Sequence, residues 1–292
     1  MSIAPGKTIV GFIGLGVMGQ SMANHILTAG YALHVYTRTP HTAEKILSKG
    51  AVWEESVSML SQHCDVIITI VGFPADVETI YLDETGILNH AKKGTIIIDM
   101  TTSSPDLAVK IYEEAKLSGV ESLDAPVSGG DLGAQNARLA IMVGGDEKTF
   151  DAVLPLFQVM GDNIVFQGKP GSGQHTKMAN QIAIAAGMVA VCESIAYAGK
   201  AGLDPQTVLK SIGTGAAGSW SLNNLGPRMI AGNDDPGFYI KHFIKDMVIA
   251  RSSAGRWGLK TPGLDLALSL YQKMAEMGHD NKGTQALIKL FE

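Results

Sequence analysis

Residues 14–19, Gly-Leu-Gly-Val-Met-Gly, constrain this chain more than any other stretch. They fit Gly-x-Gly-x-x-Gly, follow the apolar run Ile9-Val10-Gly11-Phe12-Ile13, and lead into a helical pattern at residues 18–28. In that strand–turn–helix context each glycine has a separate task. Gly14 permits the tight turn, Gly16 lets a pyrophosphate approach the backbone, and Gly19 lets the helix press against the sheet. With Leu15, Val17 and Met18 supplying the intervening backbone, free N–H groups and the positive helix end face an anion. Flavin and S-adenosylmethionine sites use similar loops, so the turn alone leaves the ligand open.

Downstream, short β-rich runs at residues 33–36, 66–71 and 95–99 alternate with helical patterns at 42–48, 57–62 and 105–118. Pro105 suits a first helical turn. The strands are apolar on both faces, as in a parallel sheet covered by helices on each side. Further strands are expected at residues 122–125, 140–143 and 163–166, around a helix at 147–159. Gly168-Lys169-Pro170-Gly171-Ser172-Gly173 is the strongest break, so the domain boundary is placed there: residues 1–168 are α/β and residues 169–292 helical. A proline-free stretch from 174 to about 201 is apolar around its whole circumference and should be enclosed on most sides, by both domains and by another subunit. A homodimer or homotetramer through the helical domain is the corresponding expectation. Helical patterns follow at 205–213, 227–231, 242–257, 262–277 and 282–290.

Composition narrows the partners. Lys and Arg number 23 against 28 Asp and Glu, a net charge of −5, so no excess positive field holds nucleic acid or an anionic membrane. The most apolar run, residues 182–192, is about half the ~20 residues needed to cross a bilayer and reads as a buried helix. Cys64 and Cys192 lie far apart and read as buried thiols. The N-terminus lacks a charged start followed by an apolar signal core, which makes the cytoplasm the expected location. His25, His41, His63, His90, His242 and His279 show no ligand spacing or carboxylate partner, and no metal site is expected.

An NAD site usually places Asp or Glu at the end of the second strand to bind the ribose hydroxyls. Here that stretch reads Tyr36-Thr37-Arg38-Thr39-Pro40. A guanidinium in place of a carboxylate favours NADP, whose 2′-phosphate Arg38 would hold. NAD stays possible, because an Arg stacked on adenine serves either dinucleotide.

Five segments, in order, resemble the β-hydroxyacid dehydrogenase family, which includes 3-hydroxyisobutyrate dehydrogenase and tartronate semialdehyde reductase. They are Phe12 to Gly19 running on to Met22-Ala23, Asp99-Met100-Thr101-Thr102-Ser103-Ser104-Pro105, Asp124-Ala125-Pro126-Val127-Ser128-Gly129-Gly130, Gly171-Ser172-Gly173-Gln174-His175-Thr176-Lys177, and Lys245-Asp246. The resemblance implies a Rossmann-type doubly wound domain, a long linking helix and an all-α second domain. It also implies NAD(P)-linked oxidation of a short 3-hydroxy acid, or reduction of its semialdehyde.

By this resemblance Lys177 is the proton donor or acceptor at the substrate oxygen. It can serve only if its pKa falls from about 10.4 toward 7–8, and burial between domains together with a place in the first turn of a helix push that way. Ser128, Gly129 and Gly130 offer a hydroxyl and unhindered N–H groups to a substrate carboxylate. Asn180 and Gln181, three and four residues past Lys177, orient it or hold substrate; relatives usually carry Asn at the fourth position. Thr102 is expected near the nicotinamide end or as a helix N-cap, Val71 and Gly72 give backbone contacts to the cofactor, and Lys245 reaches the cofactor from the helical domain. Ala137 stands where relatives often have glycine, and Trp220 and Phe238 are read as loop residues that line the pocket or fill the core. The alternatives are an imine reductase-like enzyme, which does not need Lys177 and the carboxylate loop together, and a non-catalytic NADP-binding module.

Overall fold

A computed structural model describes residues 3–291. The chain divides into two compact units, Met1–Lys177 and Met178–Glu292.

The first unit is built on one nine-stranded sheet. Its elements run β1 (Ile9–Ile13), α1 (Gly19–Thr28), β2 (Ala32–Tyr36), a 3-10 turn (Pro40–Ala43), α2 (Glu44–Leu47), β3 (Val52–Trp53), α3 (Val57–His63), β4 (Val66–Thr69), α4 (Pro74–Leu82), α5 (Ile87–His90), β5 (Ile96–Asp99), α6 (Pro105–Leu117), β6 (Glu121–Asp124), β7 (Val127–Ser128), α7 (Gly130–Gln135), β8 (Leu139–Gly145), α8 (Glu147–Phe157) and β9 (Gly161–Gly168). Strands lie in the order β3-β2-β1-β4-β5-β6-β8-β7, with β9 beside β8, and the first six are parallel. The order reverses between β1 and β4, and ligands of doubly wound sheets bind at such a point, beyond the carboxyl ends of the strands.

Strand periodicity explains the two cores. Val66 and Ile68 of β4 and Ile96 and Ile98 of β5 enter one cluster with Val10, Phe12 and Met22, while Ile67 and Ile97 enter the other with Leu60, Val77 and Tyr81. Apolar residues at successive positions therefore serve both faces, which is why these strands read as continuous apolar runs. The elements missed from the sequence are short or lack contrast: β3, β7, α4, α5 and α7.

Helix α9 (Ser172–Lys200) starts in the first unit and continues into the second. The second unit adds α10 (Pro205–Ile212), α11 (Trp220–Ile230), α12 (Ile240–Arg256), α13 (Pro262–Glu276) and a 3-10 segment (Thr284–Leu290). Met178, Ala185, Met188, Val189, Cys192 and Ile195 of α9 pack with Phe243, Met247, Leu268 and Tyr271. Helix α9 is long and apolar enough to cross a membrane by length and composition, and one side of it packs into the core of the second unit. On this chain alone a stripe of Ala179, Ala183, Ala186, Ala190, Glu193 and Tyr197 is exposed, the side for which cover by another subunit is expected. These positions recur at helical spacing, and short alanines leave the apolar circumference flat on that side.

Helix α11 begins seven residues earlier than the sequence pattern placed it. Ser219 caps it, accepting from Leu222 N at 3.0 Å, and Pro227 sits inside the helix instead of opening it. Trp220 is thus the first helical residue and not part of a loop. Phe238 does lie in irregular backbone, where its ring packs 5.4 Å from that of Phe243.

Candidate active site

The glycine turn has the shape its sequence demands. Gly14 adopts φ +102°, and a side chain there would bring Cβ to 2.2 Å from Ile70 O. At Gly19 a Cβ would lie 1.9 Å from Gly14 O, so the helix start and the turn share one space. Gly16 is exposed and opens onto space with nothing within 4 Å of a Cβ. No side chain caps the N-terminus of α1, which leaves its first N–H groups to an anion. Leu15 is buried in the core and offers backbone only, whereas Val17 is exposed. This cradle fits a dinucleotide pyrophosphate.

Beside it, the ends of β4 and β5 are tied together. Val71 N donates to Thr101 Oγ1 at 3.0 Å, and Thr101 N and Thr69 Oγ1 donate to Asp99 Oδ1 at 3.0 and 2.9 Å. Tyr81 Oη lies 2.8 Å from Thr69 Oγ1, and burial lifts its phenol well above the ordinary value of 10.0. The network fixes the backbone at Val71, just beyond the carboxyl end of β4. Thr102 is half-buried next to it and is not a helix cap, since Ser104 occupies that position before α6. Arg38 is 85% exposed, and its Nη1 donates to Asp76 Oδ1 at 2.9 Å.

Ser128 ends β7 and is followed by two left-handed glycines, Gly129 at φ +129° and Gly130 at φ +64°. All three are half-buried. Successive N–H groups in such backbone form an anion-receiving concavity.

Lys177 is 7% exposed and lies in the second turn of α9, not the first as the sequence pattern placed it, because the helix already begins at Ser172. The helix start is held by two groups that sequence reasoning left without a role. Asp124 Oδ1 accepts from Gly171 N and its Oδ2 from Gln174 N, both at 2.8 Å. Gln174 Nε2 donates to Thr101 O at 2.7 Å and its Oε1 accepts from Ser103 N at 2.9 Å. Asp99 and Asp124 are register partners at the carboxyl ends of β5 and β6. An acid closing an otherwise apolar strand is the sequence signal that could have found Asp99; β6, Glu-Ser-Leu-Asp, offers no such contrast for Asp124.

Three and four residues along α9, the two amides part company. Asn180 Nδ2 donates to Gln181 Oε1 at 2.7 Å, and Gln181 Nε2 donates to Asp246 Oδ2 at 2.6 Å. Gln181 is fully buried, while Asn180 is partly exposed. Lys245 Nζ lies 3.0 Å from Asp246 Oδ1.

The expectation that His63 lacks a carboxylate partner is corrected. His63 Nδ1 and His34 Nδ1 lie 2.7 and 2.6 Å from Glu54 Oε1, a trio whose ligand atoms fall within 4.8 Å of one another. His63 and Glu54 are nine residues apart, and His63 ends α3, which packs against β1 and β2. Histidine and glutamate are residue types that ligate metals; in the hydrogen-bonded arrangement each Nδ1 donates to the carboxylate.

A dinucleotide cradle at a topological switch point, with a buried lysine on the helix that follows the sheet, defines an NAD(P)-dependent oxidoreductase. Residues 9–168 match the family profile described as the NAD binding domain of 6-phosphogluconate dehydrogenase. Residues 171–291 match that described as the NAD-binding of NADP-dependent 3-hydroxyisobutyrate dehydrogenase. An uncharacterized oxidoreductase of Bacillus subtilis is 61% identical over 98% of this chain and 99% of its own. The 2-hydroxy-3-oxopropionate reductase of Escherichia coli is 39% identical over 97% of each. Among solved structures, Mycobacterium tuberculosis 3-hydroxyisobutyrate dehydrogenase with L-serine superposes with a TM-score of 0.88 at 29% identity, covering 98% of this chain and 99% of that one. The chain belongs to the β-hydroxyacid dehydrogenase family. Imine reductases, at 19% identity or less and TM-scores of 0.65 and 0.66, share the fold alone.

Proposed function

We propose that this protein interconverts a short 3-hydroxy acid and its semialdehyde, with Lys177 as the proton-transfer group and NADP as the preferred dinucleotide. The observation that carries the reading is a buried lysine near the start of α9, in the same unit as a half-buried Ser128-Gly129-Gly130 concavity. The two would divide the substrate: the concavity receives its carboxylate through Ser128 Oγ and the Gly129 and Gly130 N–H groups, and Lys177 serves the oxygen that becomes hydroxyl or carbonyl.

A bound nicotinamide accepts or supplies the hydride. Gly14, Gly16 and Gly19 with the N-terminus of α1 would hold its pyrophosphate, Val71 and Gly72 its edge, Thr102 the nicotinamide end, and Arg38 the 2′-phosphate. When the alcohol is oxidised, Lys177 Nζ takes the hydroxyl proton; in reduction it returns a proton to the oxygen. Asn180 is the amide assigned to Lys177 or substrate, because it is partly exposed and only its Nδ2 is bonded to Gln181, whereas Gln181 is fully buried with both ends of its amide engaged. The names of relatives that act on 2-hydroxy-3-oxopropionate and 3-hydroxyisobutyrate support the substrate class. A second copy of the chain, seated on the exposed alanine stripe of α9, is the proposed oligomeric partner.

The test is a spectrophotometric panel of short 3-hydroxy acids and semialdehydes with both nicotinamides, on the native sequence and on Lys177→Ala. The variant should bind dinucleotide as before and lose at least about a hundredfold in turnover. Equal turnover would refute the role of Lys177. Dinucleotide binding without turnover on the whole panel would favour the non-catalytic module.

A further inference from the structure

We propose that Asp124 is a positioning residue for turnover: by fastening the first turn of α9, together with Gln174, it sets where the Lys177 ammonium stands. This inference rests on the proton-transfer role given to Lys177 above.

The first N–H groups of a helix have no partner within it. At the start of α9 the two carboxylate oxygens of Asp124 take one each from Gly171, which directly precedes the helix, and Gln174 in its first turn, 47 and 50 residues away in sequence. The carboxylate is buried, and it stands at the positive end of a 29-residue helix, where a negative charge is favoured. Burial pushes its carboxyl up to about 7, against the pull of the Gln174 and Gly171 N–H groups and with a further push from Asp99. The side chain of Gln174, three residues before Lys177, bridges Thr101 O and Ser103 N on the segment after β5. The start of α9 is therefore bolted to the ends of two neighbouring strands, one of which also carries the tie to Val71.

Gly173 shows how close this docking is. A Cβ there would lie 2.4 Å from Met142 O and 2.5 Å from Asp124 O, so the helix start touches backbone of both β8 and β6. The Gly-x-Gly that precedes the lysine accordingly serves helix docking. Proton transfer tolerates little displacement of the donor, and a shift of about 1 Å at a catalytic group can cost about a hundredfold. The hydrogen bonds that Asp124 accepts come from backbone N–H groups, so it acts through the backbone at the start of α9.

The experiment compares the native chain with Asp124→Asn and Asp124→Ala. Steady-state kinetics are read with the best substrate of the panel, hydrogen exchange over residues 172–177, and the Lys177 Cε resonance in 13C-lysine protein. Asp124→Asn keeps one acceptor and should lower kcat at least tenfold, with the KM for dinucleotide within about twofold. Asp124→Ala should fall further, so that Asn rescues part of the loss. Exchange in the first turn should speed up and the Lys177 resonance should move. Faster exchange with unchanged kcat would overturn the proposal, because Asp124 would then hold the turn without bearing on turnover. Should the native chain turn over no substrate, the reading of function fails by itself. The resonance then decides: movement in Asp124→Asn upholds the coupling, and an unmoved signal overturns it. If Asp124→Ala does not fold, the Asn variant carries the same decision.

Discussion

Gln181 Nε2 donates to Asp246 Oδ2 at 2.6 Å inside the second unit, and the other oxygen of the same carboxylate faces Lys245 Nζ at 3.0 Å. Gln181 is fully buried and Asp246 is 1% exposed. The Lys245–Asp246 pair is thus an internal one, although Oδ1 makes no aligned hydrogen bond and its tie to the ammonium is one of charge. Asp246→Ala would leave a buried amide without its acceptor and a cation without its counter-charge, which costs about 3–5 kcal/mol. Asp246→Asn keeps an acceptor for Gln181 and should cost less. Urea unfolding of the whole chain checks the order, and coincident midpoints for the native chain and the Ala variant would remove this network from the account of stability.

Arg38 and Asp76 form the contact that bears on cofactor choice. An exposed pair of this kind contributes about 0–1 kcal/mol, whereas a 2′-phosphate offers more charge and a bidentate partner. Arg38→Ala should raise the KM for NADP about tenfold and that for NAD less than twofold. Asp76→Asn removes the competing charge while keeping an acceptor for Phe73 N, and it should lower the KM for NADP. Initial rates with both nicotinamides decide the matter. If Arg38→Ala moves both KM values equally, the guanidinium does not read the 2′-phosphate.

What was legible in the sequence, and what was not, follows from range. The turn at Gly14 to Gly19 and the strands ending at Ile13 and Asp99 are local patterns of periodicity and glycine placement, and the structure reproduces them within a residue or two. The Pro105 helix start was read correctly for the same reason. Partners that meet across the fold left no local trace: Gln174 bonds the segment after β5 from more than 70 residues away, and His34 reaches Glu54 across 20. Pro227 misled because a proline that commonly opens helices here lies inside one, after a Ser219 cap whose strength the proline masked. The two amides after Lys177 looked equivalent because helical spacing places them together but says nothing of Asp246, 65 residues on.

Ala137 is the one non-glycine residue at positive φ among the described residues, at +53°. It follows α7, in a left-handed backbone that glycine adopts more readily than alanine. An L-residue with a Cβ costs about 1–2 kcal/mol in this region, against about 0.5–1 kcal/mol of extra chain entropy that glycine loses on folding. Ala137→Gly should therefore stabilise the protein by up to about 1 kcal/mol, a rise of about 2–4 °C in Tm at domain sizes of this order. Thermal unfolding followed by circular dichroism checks the sign. A lower Tm would mean that the surrounding turn compensates the alanine.

Glu54 supplies a pH dependence whose sign can be worked out. Its carboxylate is buried, which by itself raises the pKa, but the hydrogen bonds from His63 and His34 and their charge outweigh burial and hold it below the ordinary value of 4.5. A carboxyl whose folded pKa is depressed contributes stability above its unfolded pKa, and that contribution is lost as pH falls through the folded one. Glu54→Gln keeps the oxygen on which both imidazoles converge but removes its charge, which weakens two charge-assisted hydrogen bonds and should cost about 1–3 kcal/mol at pH 7. The difference between native chain and variant should persist down to about pH 5 and shrink below 4.5, as the native carboxyl takes up its proton. Urea unfolding at pH 3.5, 4.5, 6 and 7 measures it, with pH values chosen to span about one unit either side of the ordinary carboxylate pKa and the neutral range. A gap that stays constant to the lowest pH would show that the imidazoles stabilise Glu54 equally in its neutral form.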